Sequence, residues 1–324
     1  MKRKVLVLTS GGLDSLLALK IMEKAGLEVT GIHFRTWFTI PRYRALEDYE
    51  PESVVLGIPV VTMDLSEELT PIILKPRYGY GKAMNPCIDC KIFFLRKAGE
   101  HMSRIGADFV ATGEVLGQRP MTQNPQMMRM IEKKSGLEGY LLRPLSARLL
   151  APTEPERLGW VKREDLHAIS GRGRTEQMKL ASDFGIDRYP TPAGGCHLTD
   201  KELHRRFQEM AEHTANVGVK DLFVLRYGRH FNLAGGRRLV IGRNEQENLF
   251  LAGMQWGNVK LDATHVPGPF SLMDWDGRIS SLKRALCLVS RYCDAVQGRT
   301  HISVKLLCGG KERDIRVAQR TIRH

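Results

Sequence analysis

No stretch of this 324-residue chain approaches the roughly 18 consecutive apolar residues that a membrane-spanning helix needs, so no membrane partner is expected. Lys2, Arg3 and Lys4 precede the apolar residues 5–8 in the manner of a secretory leader. The apolar run is too short for one and leads straight into a glycine-rich turn, so that reading is rejected. The six cysteines lack the spacing of a secreted disulfide framework. Reduced thiols or a metal site in a cytoplasmic protein fit them better. Internal repeats and low-complexity tracts are missing, which excludes a repeat architecture. Charge balance is missing too: 49 Lys and Arg stand against 36 Asp and Glu, a net +13, with an isoelectric point near 9.6. The excess is uneven, because residues 205–324 hold 20 basic against 11 acidic side chains and residues 1–204 hold 29 against 25. A basic C-terminal third suggests a polyanion partner, most simply nucleic acid, with a merely soluble basic surface as the alternative.

The most informative feature present is Ser10-Gly11-Gly12-Leu13-Asp14-Ser15, set between the apolar residues 5–8 and 16–19. A buried strand, a glycine-rich turn and a helix start in that order present backbone N–H groups and a positive dipole end to a phosphate. Two glycines let the backbone approach an anion closely. Ser10 and Ser15 add hydroxyls, and Asp14 can hold Mg²⁺ between phosphate oxygens. No lysine follows the glycines, so this is not the G-x-x-x-x-G-K-[ST] loop.

The first 200 residues alternate strand-like and helix-like runs. Strands are expected at 5–8, 29–34, 60–63, 109–112 and 140–143, with helices at 15–24, 91–104 and 175–183. Such alternation predicts an α/β fold, a parallel sheet with helices on both faces and ligands outside the carboxyl ends of its strands. Beyond residue 200 the texture becomes α+β: helices at 201–215 and 280–292, and β-like runs at 222–227, 238–241 and 301–307. A boundary near residue 204 is expected, giving domains 1–204 and 205–324.

Cys87-Ile88-Asp89-Cys90 is a C-x-x-C at the start of a helix, where a thiol's pKa is expected to fall. Cys196 follows Gly194-Gly195. Three readings stay open on the residues alone: a redox disulfide, part of a zinc site completed by His197 or a distant group, or three ligands of an iron cluster with one open iron. Cys287, Cys293 and Cys308 sit among apolar residues and read as packing. Ala111-Thr112-Gly113-Glu114 and Gln118 follow the fourth strand at the same rim as the glycine-rich turn, where Thr112, Glu114 and Gln118 could contact nucleotide. His33 ends the second strand and Arg143 the fifth. Gly171-Arg172-Gly173-Arg174 is a basic turn suited to RNA phosphates or simply solvated.

Taken together, SGGLDS, CIDC, ATGEVLGQ, LLRPLSA, ISGRGRTEQMKLA and PTPAGGCHLTD resemble, in order over residues 4–200, the PP-loop ATP pyrophosphatase domain of tRNA 4-thiouridine synthetases and related tRNA-thiolating enzymes. Residues 240–248 and 265–269 are similar to the NFACT-R (DUF814) RNA-binding domain, although the D-x-W-x-H segment expected before the proline and glycine is replaced by Leu261-Asp262-Ala263-Thr264-His265. The resemblance implies an adenine-nucleotide α-hydrolase-like fold followed by a smaller α+β domain. It implies ATP binding by Ser10, Gly11, Gly12, Asp14, Ser15, His33 and Gly113, with Mg²⁺. It implies a [4Fe–4S] cluster on Cys87, Cys90 and Cys196, catalytic roles for Asp14, Cys90 and Cys196, and RNA contacts by Arg172, Arg174 and Arg243. The expected partners are tRNA, a sulfur donor (sulfide or a cysteine desulfurase system) and a second copy of the chain. No counterpart is expected here of the RNA-binding region such synthetases carry before the loop, or of the rhodanese domain some carry after it. RNA docking is therefore expected of residues 205–324, and sulfur from the cluster or a separate donor.

The expected chemistry is adenylation of a uridine carbonyl followed by replacement of its oxygen with sulfur, with 4-thiouridine as the default product. A cluster-free rival would use Cys90 and Cys196 as a persulfide pair. An amidotransferase or lysidine-type ligase would not need the three cysteines, and a non-catalytic RNA-binding protein would not need the intact loop.

Overall fold

A computed structural model describes residues 2–43, 54–189, 196–214, 216–294 and 300–318. The chain divides into two compact units, Met1–Thr36 with Glu50–Thr199, and Trp37–Tyr49 with Asp200–His324.

The first unit runs β1 (Lys4–Leu8), α1 (Leu13–Lys24), β2 (Glu28–Arg35), β3 (Val54–Val55), β4 (Ile58–Asp64), α2 (Ser66–Leu74), α3 (Cys87–Ile105), β5 (Phe109–Thr112), α4 (Pro125–Ser135), β6 (Leu141–Leu142), α5 (Glu154–Arg157) and α6 (Thr175–Asp183). The sheet order is β3-β4-β2-β1-β5-β6, parallel throughout except for β3 on β4. After Lys4 the central strand β1 is apolar at every position because both its faces are covered. Val5 and Val7 pack into a cluster with Leu16, Leu17 and Leu19 of α1 and Ala181 of α6. Leu6 packs on the other face with Ile92, Leu95 and Ala98 of α3 and Ile131 of α4. The chain leaves β1 toward β2 and β4 on one side and returns on the other side to β5. That reversal opens a crevice at the carboxyl ends of β1 and β5, where open α/β sheets bind ligands.

The second unit runs α7 (Lys201–Ala211), α8 (Val219–Val224), β7 (Arg229–Leu233), β8 (Arg237–Ile241), α9 (Glu245–Gly253), β9 (Val259–Thr264), β10 (Phe270–Met273), α10 (Ile279–Arg291), β11 (His301–Cys308) and β12 (Lys311–Ala318). Its antiparallel sheet has the order β12-β11-β9-β10-β8-β7. Ala285, Leu286 and Val289 of α10 pack onto Leu239, Leu261, Val304 and Leu306 of the sheet. Cys293 is buried in this core and Cys308 packs against it, as expected of small apolar groups, while Cys287 on α10 is partly exposed.

Residues 222–227, expected as β-like, lie in and just after α8. Leu222, Phe223, Val224 and Leu225 are all buried, so the run carries no period that separates strand from helix. The segment that follows β2 also belongs to the second unit: Arg226 Nη1 donates to the Trp37 carbonyl at 2.7 Å and Nη2 to that of Ile40 at 2.6 Å. Two charge-assisted bonds from a buried guanidinium satisfy carbonyls that have no ladder to join.

Candidate active site

Three loops meet at the carboxyl ends of β1 and β5. The first joins β1 to α1. Gly11 takes φ +72°, a left-handed conformation open to glycine without strain. The Ser15 hydroxyl is turned inward, donating to the Gly12 carbonyl at 2.8 Å and accepting from the Ser10 N–H at 3.2 Å. The Gly11 N–H donates to Thr9 Oγ1 at 3.2 Å. Ser15 and Thr9 thus hold the loop's shape, and Leu13 and Asp14 begin α1, where first-turn N–H groups have no intrahelical acceptor. His33 Nδ1 lies 3.1 Å from the Thr9 carbonyl, and burial lowers its pKa, so the imidazole is neutral around neutral pH.

The second loop follows β5. A Cβ on Gly113 would fall 2.3 Å from the Asp14 carbonyl oxygen and 2.6 Å from the Ser15 N, so only glycine lets this loop reach the first. Gly113→Ala is expected to cost about 1–3 kcal/mol and to displace the first loop. Urea unfolding and the affinity for an ATP analogue should both weaken. Gln118 Nε2 donates to Asp14 Oδ2 at 2.8 Å. Glu114 is buried. It pairs with Lys91 Nζ at 3.1 Å and Arg143 Nε at 3.1 Å, and Arg143 also holds Glu132 at 2.7 Å. Burial alone would raise the Glu114 carboxyl, but Lys91 and Arg143 outweigh it and hold the pKa down at about 2. Arg143, expected at the end of the fifth strand, is occupied inside this cluster and only 5% exposed.

The third loop carries Arg172 and Arg174. It is tied to the second by the Gly171 N–H donating to the Leu116 carbonyl at 2.7 Å. Arg172 is exposed, whereas Arg174 Nη1 donates to Asp14 Oδ2 at 3.2 Å. In the second unit, Arg243 is paired with the buried Glu247, its Nε 2.9 Å from Oε2.

The cysteines sit at the start of α3. Cys87 Sγ donates to the buried Asn85 Oδ1 at 3.0 Å. Asp89 accepts from the Arg77 and Tyr78 N–H groups at 3.0 Å each, so the one acid of the motif is spent on backbone. Burial pushes the Cys90 thiol up, and the sulfurs of Cys196 and Cys87 push it further. Burial raises Cys196 as well, with Cys87 adding to it. The lowered thiol pKa expected from the helix start is therefore overturned for Cys90: desolvation and like charge outweigh the helix dipole. The same couplings bring the three sulfurs within electrostatic reach of one another. Their donor chemistry is soft sulfur, suited to iron or zinc. Among the described residues, no group of three or more His, Cys, Asp or Glu is placed to hold a metal ion. Gly194 and Gly195, read as folding tightly before Cys196, lie outside the described residues.

What sequence reasoning missed is the pairing of groups far apart in the chain. Arg174 reaches Asp14 across 160 residues and Gln118 does so across 104. The alternation of polar loops after each strand was the available signal, because every such loop ends at one rim.

Residues 3–154 match the tRNA methyl transferase HUP domain, and residues 228–322 match the NFACT protein RNA binding domain. A tRNA-specific 2-thiouridylase MnmA of Caldicellulosiruptor saccharolyticus is 28% identical over 79% of this chain and 73% of its own length. The enzyme of the same name from Thermus thermophilus is 35% identical over 34% of this chain and 36% of its own. A solved 4-thiouridine synthetase–RNA complex with bound ATP aligns with a TM-score of 0.39 and 19% identity, covering 69% of this chain and 52% of that one. Among the described residues, no helix is long and apolar enough to cross a membrane.

Proposed function

We propose that this chain, a PP-loop protein with a HUP domain over residues 3–154 and an NFACT-type RNA-binding domain over residues 228–322, is an ATP-dependent tRNA sulfurtransferase acting in the cytoplasm. The observation that carries the reading is the meeting of the Ser10–Ser15 loop, through Asp14 and Ser15, with Gly113 and Gln118 in the unit that also carries Cys87, Cys90 and Cys196.

ATP is held with its phosphates over the loop, and Asp14 is the residue that would hold Mg²⁺. The carbonyl oxygen of a tRNA uridine attacks the α-phosphorus. The new O–P bond forms as the bond to the β-phosphate bridging oxygen breaks, its electron pair leaves on pyrophosphate, and the N3 proton goes to solvent. Hydrosulfide then adds to the activated ring carbon, AMP departs with the C–O electron pair, and the proton that came in on sulfur moves to N3 to give the thiocarbonyl. The base leaves its stack to reach the site. Cys87, Cys90 and Cys196 are the residues that would hold a [4Fe–4S] cluster, which would supply iron able to bind sulfide. The second unit, with Arg243, serves tRNA docking.

4-Thiouridine is the product implied by the sequence resemblance. 2-Thiouridine is the second reading, favoured by the names of the relatives. Purification without oxygen should give about four irons and four acid-labile sulfides per chain, with both falling in Cys196→Ala. Iron-free protein after such handling would move sulfur transfer to a persulfide on Cys90 and Cys196. The test of the ATP chemistry is its product: tRNA-dependent release of AMP and pyrophosphate supports the reading, and release of ADP and phosphate overturns it.

A further inference from the structure

The glycine-rich loop contains no basic residue, yet cleavage between the α- and β-phosphates builds negative charge on the departing pyrophosphate. Beside Mg²⁺, side-chain positive charge for that step has to come from elsewhere in the fold. Two nearby cations are committed: Lys91 and Arg143 neutralise the buried Glu114, and Arg143 also holds Glu132. Arg174 differs. Its guanidinium, 20% exposed, reaches the loop itself and bonds Asp14 Oδ2 at 3.2 Å.

Two features mark this pair as incomplete. Among the described residues, Asp14 Oδ1 and Arg174 Nε are both buried without a hydrogen-bond partner. One is an orphaned acceptor on a carboxylate and the other an orphaned donor on a guanidinium. Their deficits match the two halves of a magnesium polyphosphate: a cation for the carboxylate and phosphate oxygens for the guanidinium. The support beneath Arg174 is built rather than incidental. Gln177 is fully buried and, in its hydrogen-bonding amide orientation, accepts from Arg174 Nη1 at 3.2 Å while donating to the Gly173 carbonyl at 3.2 Å. The loop backbone is bonded to residue 116 through Gly171. An arginine used only to bind RNA phosphates would gain nothing from being held inward by a buried amide and a loop carboxylate.

We propose that Arg174 is a catalytic residue of the adenylation step: it neutralises Asp14 before nucleotide binds and then donates to the phosphates as charge passes to pyrophosphate. The assignment rests on the ATP chemistry proposed above. It replaces the RNA-phosphate role expected for Arg174 from its sequence context.

The experiment compares wild type, Arg174→Ala and Arg174→Lys in three measurements: binding of the Mg²⁺ complex of α,β-methylene-ATP, tRNA-dependent ATP–pyrophosphate exchange, and tRNA affinity against salt. Arg174→Ala is expected to lower the exchange rate by about 10²–10³-fold and to weaken the analogue. Its tRNA affinity and salt slope should match wild type, and Arg174→Lys should recover part of the exchange by returning the charge. Unchanged exchange with weaker tRNA binding and a salt slope shallower by about 1 would overturn the assignment and make Arg174 an RNA contact. Wild type that binds the analogue but exchanges nothing would sink the adenylation reading. An analogue affinity lost in Arg174→Ala would then still support the phosphate role. Wild type that binds no analogue overturns both.

Discussion

Replacing Glu114 with alanine should destabilise the first unit by about 3–5 kcal/mol, because it strips a buried ion cluster of its central anion. Glu114 is 3% exposed and sits between Lys91 and Arg143, and Arg143 is itself buried. Removing the carboxylate leaves two cations without their shared partner, although Glu132 still offsets Arg143. The cluster also joins the helix that carries Cys90 to the loop that carries Gly113 and Gln118, so the loss should reach both halves of the site. The pH dependence has a definite sign. The carboxyl titrates near 2 when folded against a free value of 4.5. Its stabilisation is therefore complete above the free value and is lost as pH falls toward 2, about 3 kcal/mol in all. Urea unfolding between pH 2 and 7 should show this slope in wild type. Glu114→Gln should be less stable at pH 7 and converge with wild type near pH 2. Parallel profiles would mean that Glu114 is not held ionised by its neighbours.

The second large effect separates the two chemical steps. Cys90→Ala or Cys196→Ala should lower sulfur incorporation into tRNA on the order of 10⁴-fold, in the range seen when a member of a catalytic unit is removed. Adenylation needs Asp14 and its loop but no thiol, so tRNA-dependent pyrophosphate exchange should persist in both variants. The thiols' setting explains why a partner is needed. Burial and mutual repulsion push Cys90 and Cys196 up, which keeps them protonated at neutral pH unless a bound cation or persulfide chemistry intervenes. Loss of exchange in parallel with sulfur transfer, in variants that remain folded, would tie the cysteines to ATP chemistry instead.

Local features of the fold were legible in the residues. Val5-Leu6-Val7-Leu8 is apolar at every position, and only a strand covered on both faces wants that pattern. The turn that follows, Ser10-Gly11-Gly12-Leu13-Asp14-Ser15, stood out as a candidate phosphate loop because a strand precedes it and a helix follows it. The start of α3 at Cys87 was legible because Pro86 and the apolar period begin there together. The run from Leu222 to Tyr227 was not, since a short segment buried on all sides has no period. β12 was missed because Lys311-Glu312-Arg313-Asp314 is charged at four successive positions, and its strand form comes from pairing with β11 along eight residues. Within the site, the loops after β1 and β5 could be placed at the rim, but the place of the basic turn at 171–174 and the bonds between loops could not. Nothing in ISGRGRTEQ says that Arg174 turns toward Asp14, or in RPLSA that Arg143 turns toward Glu114. The fall expected for the Cys90 pKa reversed for the same reason, because burial and a distant third sulfur are tertiary facts.

The central claim is that ATP cleavage by this chain puts sulfur on a tRNA uridine. Its most direct test is to incubate the protein under anaerobic conditions with unmodified tRNA, ATP, Mg²⁺ and sulfide, then digest the tRNA and count thiolated uridine by mass spectrometry against AMP formed. One 4-thiouridine or 2-thiouridine per AMP, absent without ATP, is the result expected, and the mass fragments name the ring position. AMP formed with no thionucleoside, or a thionucleoside that appears equally without ATP, would contradict the claim.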